Sequence, residues 1–343
     1  MSAVAPSSAQ QREADAARMH RTMMGYLGTK ALLTAVELGV FDALERGPAT
    51  AEEVAARAGL PQRSTRALLS ALEGERLVHN DGGTYRNDSA ASTFLVSGSP
   101  DNVISLVEHQ NAHFAKFVRL TESLREDRPL QMPDDYYLNK PFGSDGSGYT
   151  DWADRLVKVM TTSNTLFGRL GPKVSLEGHR HMVDLGCGPC MYTIDFANAH
   201  PHLRFTAVDN GPVAERGRRN IEAAGLADRV HVRPGDIFND RFPECDCALL
   251  SNTLQGFSQE KARGLIEHIG SWLPAGGELL IHGHLPLEAP FTYQFGLILM
   301  VNNSEGGEPH SEDLMRAWFA EAGFTSVDIV PVASIFTLAR ARK

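Results

Sequence analysis

A chain of 343 residues, 42% hydrophobic and 22% charged, is long enough for two domains and has the balance of a folded, water-soluble enzyme. Its formal net charge of -9 argues against non-specific binding to nucleic acid or an anionic membrane, and no apolar run approaches a membrane span. Four cysteines with no secretion signal are expected as reduced thiols in a cytoplasm.

Residues 1–18 begin Met1-Ser2-Ala3-Val4-Ala5-Pro6-Ser7-Ser8, small and polar, without a basic segment ahead of an apolar core. They are expected to be a disordered start, not a signal peptide. Alanine, leucine and valine recur at helical spacing from Met23 to Leu44, and Gly47-Pro48 is a stop signal. Thr50-Ala51-Glu52-Glu53 reads as a capping box for a helix through Arg57, Gly59 breaks it, and a further helix is predicted over Gln62 to Leu77. Val78 to Phe94, with Asp81-Gly82-Gly83 at the tip, is predicted as a hairpin wing, which makes residues 19–105 a mainly α winged helix. Arg63, Arg66 and Arg76 on or near the second helix admit DNA binding; the acidic, alanine-rich setting weighs against it.

Between residues 106 and 168 a helical linker is expected. His109, His113 and Phe117 recur at i, i+4, i+8, a spacing that suits a cavity wall, a metal pair or plain packing. Arg125 to Gly148 is rich in Pro, Asp, Gly and Tyr and reads as a loop, followed by a helix from Trp152 to Leu170 that carries Met160, Asn164 and Phe167.

The strongest motif is His181-Met182-Val183-Asp184-Leu185-Gly186-Cys187-Gly188-Pro189-Cys190, an apolar strand running into an acidic, glycine-rich turn. Gly186 and Gly188 let the backbone approach a ligand closely. A second strand, Phe205 to Asp209, ends in an acid placed to accept from ribose hydroxyls. Val230 to Phe238 contains Asp236, and Cys247 to Asn252 ends in small polar residues. A nicotinamide dinucleotide fingerprint needs a third glycine, where Cys190 stands, and the turn holds no Lys or Arg for a pyrophosphate. Cys187-Gly188-Pro189-Cys190 copies a redox motif, and Cys245 and Cys247 could complete a zinc set; either use competes with ligand binding at the same turn.

On these residues the chain resembles the class I S-adenosylmethionine-dependent methyltransferases, more narrowly the small-molecule O-methyltransferases that include the caffeate and acetylserotonin enzymes. The resemblance runs over nearly the whole length. It implies a Rossmann-like, seven-stranded α/β catalytic domain over residues 169–343 and an N-terminal winged helix that makes a homodimer rather than reading DNA. It further implies S-adenosyl-L-methionine as cofactor, with Gly186 and Gly188 at its methionine part, Asp209 at the ribose, Asp236 and Ile237 at the adenine, and Ser251 and Asn252 over the sulfonium. Asp184, Asn210 and Gly235 belong to the same binding set. Met160, Asn164, His109 and His113 become candidate contacts for a small, secondary-metabolite acceptor.

The catalytic set departs from the family. The family's histidine base, in a His-Asp-Trp segment after the fourth strand, is replaced here by Gln255, whose amide cannot serve as a base. Its two acidic partners fall near His282 and Pro309, so His282 at the end of the fifth strand and His310 become candidate replacements. Three readings follow: O-methylation with a relocated histidine base, C-methylation or amine methylation of an acceptor that is already nucleophilic, or a metal held by His282, His284 and His310. A winged-helix DNA-binding protein and a non-methylating cofactor binder are the more distant alternatives. Glu312 to Ala322 is predicted as a helix stopped by Gly323, and Phe324 to Ala339 as a terminal antiparallel hairpin.

Overall fold

The computed structural model describes residues 9–130, 157–163, 166–284, 290–302 and 306–343. The chain divides into two compact units, residues 1–111 and 112–343, and the division falls inside the helix Ile104–Phe117.

In the first unit a 29-residue helix, Ala9–Glu37, is followed by the short helix Val40–Glu45. Two expectations are corrected here. Residues 9–18 are helical rather than a disordered start, because Ala9 to Arg18 is a run of strong helix formers. The single helix to Leu44 is two, since Gly39 takes a left-handed φ of 66° and interrupts it. Helix Ala51–Ala58 keeps its capping box, with Glu53 N–H donating to Thr50 Oγ1 at 3.3 Å and Thr50 N–H to Glu53 Oε2 at 2.7 Å. Helix Gln62–Gly74 follows. Strands β1 (Ala49–Thr50), β2 (Val78–Asp81) and β3 (Thr84–Asn87) form an antiparallel sheet in the order β1-β3-β2. The hairpin ends earlier than expected, because Asp88 accepts from Ala91 N–H and caps a helix over Ser89–Phe94. Arg66 pairs with Glu52 at 2.8 Å on this unit's surface.

The second unit is built on strands β4 (His181–Leu185), β5 (Arg204–Asp209), β6 (Val230–Pro234), β7 (Cys247–Ser251), β8 (Glu278–Gly283), β9 (Ser326–Pro331) and β10 (Thr337–Arg342). Their order is β6-β5-β4-β7-β8-β10-β9, all parallel except β10, which runs antiparallel to both neighbours. The central strands are buried on both sides, and alternate residues feed two cores. Val183, Leu185 and Ala248 pack with helices Gln259–Trp272 and Glu312–Glu321, while Met182, Phe205 and Cys247 pack with Tyr192 and Phe196 of helix Met191–Ala199. This is the expected α/β architecture, and it brings the C-terminal ends of β4, β5, β6, β7 and β8 to one edge. The helix expected to reach Leu170 stops earlier, since Gly168 has φ 79° and Gly171–Lys173 forms a 3-10 turn.

At the opposite edge the carboxylate of Glu278, 1% exposed, takes Arg340 Nε at 2.7 Å, Arg342 Nε at 2.9 Å and His179 Nε2 at 3.3 Å. Burial alone would raise this carboxyl; the hydrogen bonds from His179, Arg340 and Arg342 outweigh it and hold the pKa at about 2. A folded value below the ordinary 4.5 adds stability above pH 4.5 that is lost as pH falls toward 2. Glu278→Gln is expected to cost about 2 kcal/mol at pH 7, with the deficit shrinking below pH 4, read by urea unfolding across pH.

Candidate active site

The turn after β4 is fixed by its own amides. Gly186 N–H and Cys187 N–H both donate to Val208 O on β5, at 2.9 and 3.1 Å. Gly188, at φ 55°, donates its N–H to Asp209 Oδ2 at 2.8 Å, and Asn210 N–H takes Oδ1 at 2.8 Å. Burial pushes the Asp209 carboxyl up, and these two bonds offset part of the rise. Asn210 accepts from Val213 N–H and caps helix Gly211–Ala223. Gly235 N–H donates to Asp209 O at 2.9 Å, and a Cβ on Gly235 would stand 2.7 Å from both Val208 and Asp240. Asp236 lies just past β6, exposed, its carboxylate held down by Asn239 and by the N–H of Phe238; Ile237 packs partly against the core. Asp184 sits beneath the turn, 2% exposed, accepting from Thr193 Oγ1 at 2.5 Å, and burial raises it to about 7.

The donor set fits S-adenosylmethionine. Space beyond the Gly188 Cα is open, so a Cβ there would intrude on a ligand laid along the turn. The polar lining is backbone amide and carboxylate, suited to a ribose diol and an amino-acid zwitterion.

A second group of side chains stands at the ends of β7 and β8. Asn252, at φ 54°, donates from N–H to His282 O at 2.7 Å and from Nδ2 to the Tyr192 hydroxyl at 3.3 Å. Gln255 donates from Nε2 to Asn252 Oδ1 at 3.3 Å and accepts the His284 N–H at 3.1 Å. Gly283 makes room for that amide, because a Cβ on it would overlap Gln255 Oε1. His282 bonds Ser251 Oγ through Nδ1 at 2.9 Å, with its ring against Tyr192 and Phe336. Burial, then the charges of His284 and Lys173, lower His282 to about 3. His284 is lowered by burial to about 4 although its Nδ1 donates to Ile335 O. His310, also lowered by burial, bonds Leu254 O through Nε2 at 3.3 Å and packs on Trp318.

Tyr192, His282, Phe336, Phe167 and Lys173 line a narrow cleft. The Lys173 ammonium donates to Val332 O at 2.7 Å and Phe167 O at 3.3 Å. Of these, His282 alone is a site candidate from the sequence. Tyr192 was open to detection as the second residue of the helix that follows the glycine turn; Phe336 comes from the terminal hairpin, with no local signal.

Other candidates are placed elsewhere. Met160 is half-buried against the second core. Asn164 lies outside the described residues. His109 and His113 are buried on one helix, and His113 falls to about 4 through burial and the charge of Lys116. Among the described residues no group of three His, Cys, Asp or Glu is gathered as a metal site, so the proposed His282, His284 and His310 triad does not form; Phe336 packs against both His282 and His284, while His310 stands against Trp318.

Comparison with known proteins identifies the family. An O-methyltransferase domain model matches residues 118–325, and an O-methyltransferase dimerisation domain model matches residues 20–97. The chain is 30% identical over 320 residues to a 3-hydroxy-5-methyl-1-naphthoate 3-O-methyltransferase of Streptomyces sahachiroi, covering 90% of each. It is 31% identical to the N,N-dimethyltransferase OxyT of Streptomyces rimosus, covering 87% of this chain and 88% of that one. The structure of human N-acetylserotonin methyltransferase with S-adenosylmethionine superposes with a TM-score of 0.77 at 22% identity over 99% of each chain.

Asp209→Ala is expected to weaken S-adenosylmethionine binding by about 10- to 100-fold in calorimetric titration, the worth of hydrogen bonds to a charged acceptor. Unchanged affinity would remove Asp209 from the cofactor site.

Proposed function

We propose that this chain, which belongs to the O-methyltransferase family, methylates a small aromatic acceptor at a hydroxyl that ionises without help from a protein base. It is an S-adenosylmethionine-dependent methyltransferase, and the bound cofactor supplies an electrophilic methyl on a sulfonium. Gly186, Gly188, Asp209 and Asp236 would hold it along the strand ends.

One observation carries the proposal. The position of the family base is an amide, Gln255, and the histidine beside it, His282, is neutral with a pKa of about 3. An imidazole that weakly basic takes up a proton poorly at pH 7. An ordinary phenol, with a pKa of about 10, is only ~0.1% anion there, and each unit of added acidity gives about tenfold more. An acceptor whose hydroxyl is acidified by a neighbouring carbonyl or carboxylate, its proton released to water beforehand, then needs only positioning in a desolvated site. Tyr192, Phe336 and Phe167 bring aromatic side chains to the cleft, the kind of surface on which such a ring packs. The weak basicity of His282 equally favours, as a second reading, C-methylation of an enolate or electron-rich ring; the resemblance to an N,N-dimethyltransferase extends that reading to an amine.

The protein acts as a cytoplasmic homodimer in this reading. Support for the dimer is the matched dimerisation domain and the exposed apolar side chains of Met19, Met23, Met24, Tyr26 and Leu27 on the first helix. Met23→Glu with Leu27→Glu is expected to give a monomer by light scattering; a dimer unchanged at micromolar protein would remove this helix from the interface.

In a series of substituted phenols, kcat/KM is expected to follow each acceptor's own ionisation, with no inflection near pH 6.5, and His282→Gln to retain activity within about tenfold. An inflection shared by all acceptors and a loss of about 10²- to 10⁴-fold in His282→Gln would restore a histidine base. Carbon-bound methyl in the product, seen by NMR, would select the second reading.

A further inference from the structure

The turn that carries Gly186 and Gly188 also carries two thiols. Cys187 Sγ and Cys190 Sγ stand 3.6 Å apart, both residues are buried, and both are free cysteines. A disulfide bond is about 2.05 Å long, so the pair is about 1.5 Å from bonding distance. The movement that closes this gap is one-sided. Cys190 has a left-handed φ of 63°, its N–H donates to Cys187 O at 3.0 Å, and its thiol fills the notch of Gly217, where a Cβ would stand only 2.6 Å from Sγ. Cys187 is 7% exposed, and its thiol donates to the Gly188 carbonyl at a long 3.5 Å. Closure therefore falls on Cys187, between the two glycines, and pulls on a segment whose amides hold Val208 O and Asp209.

We propose that Cys187 and Cys190 form a dithiol site for small-molecule disulfides, and that its oxidation turns off cofactor binding at the glycine turn. The second half rests on the reading that this turn holds S-adenosylmethionine. The step is thiol–disulfide exchange. The Cys187 thiolate attacks one sulfur of the oxidant RSSR and expels RS⁻; the Cys190 thiolate then attacks the Cys187 sulfur of the mixed disulfide and expels a second RS⁻. Two cysteine S–H groups become one S–S bond, and the oxidant is reduced to two RSH. The Cys190 hydrogen bond and burial push the Cys187 thiol up, so exchange runs through a small thiolate fraction and is slow. Cys245 and Cys247, fully buried in the same chain, serve as internal controls.

The test treats the full chain, with and without S-adenosylmethionine, with excess oxidised glutathione until a control dithiol peptide is fully oxidised. Remaining thiols are alkylated and mapped by mass spectrometry, and the cofactor is titrated into reduced, oxidised and re-reduced protein. Expected is one bond, Cys187 to Cys190, formed more slowly when the cofactor is present. Affinity should fall by about tenfold or more on oxidation and return with dithiothreitol. Oxidant should not change the affinity of Cys187→Ser, which lacks the attacking thiol. Only glutathione adducts, a bond elsewhere or no bond would overturn the dithiol site, and a mapped bond with unchanged affinity would overturn the switch. If reduced protein fails to bind S-adenosylmethionine, the reading of the turn and the switch fall together, while the map alone decides the dithiol.

Discussion

The hydrogen bond from Gly188 N–H to the Asp209 carboxylate joins the ends of two adjacent parallel strands, and the rest of the site is arranged around it. A carboxylate at that depth is costly to leave without donors. It therefore fixes the height at which the glycine turn rises from β4, and with it the open face above Gly188. Because β4 to β8 run in one direction, the polar groups that end them arrive at the same edge without further design. Asp236, Ser251, Asn252 and His282 belong together for topological reasons before any chemical ones.

Much of this was legible in the sequence because it is written locally. An apolar run ending in Asp or in glycines identifies a buried parallel strand and its exit turn, and the cap at Thr50 uses residues three apart. What stayed hidden depends on nonlocal placement. Gln255 reads only as a missing base until β8 is laid beside β7 and its amide is seen to bridge Asn252 and His284. The helix over Ser89–Phe94 depends on one aspartate cap against a strand-like pattern. Phe336 reaches the cleft only through the antiparallel pairing of β10 with β8.

Burial decides the chemistry of the imidazoles. His282 and His284 look interchangeable with a catalytic base by type and position, yet packing against Tyr192, Phe295 and Phe336 leaves them neutral and weakly basic. A positive sulfonium nearby would lower them further. In the proposed reaction, losing the proton is left to the acceptor.

The interlock of Gln255 with Gly283 fits position 255 to an amide. The amide offers a donor and an acceptor on one short plane, each already engaged, and it occupies the space that a glycine leaves on β8. An imidazole at that position would strand the His284 amide or the Asn252 carbonyl and press its ring into the strand. An imidazole base at position 255 therefore requires concerted replacement at Gly283 and Asn252. In the proposed reaction the choice of acceptor therefore lies with the shape of the cleft and with the acceptor's own acidity.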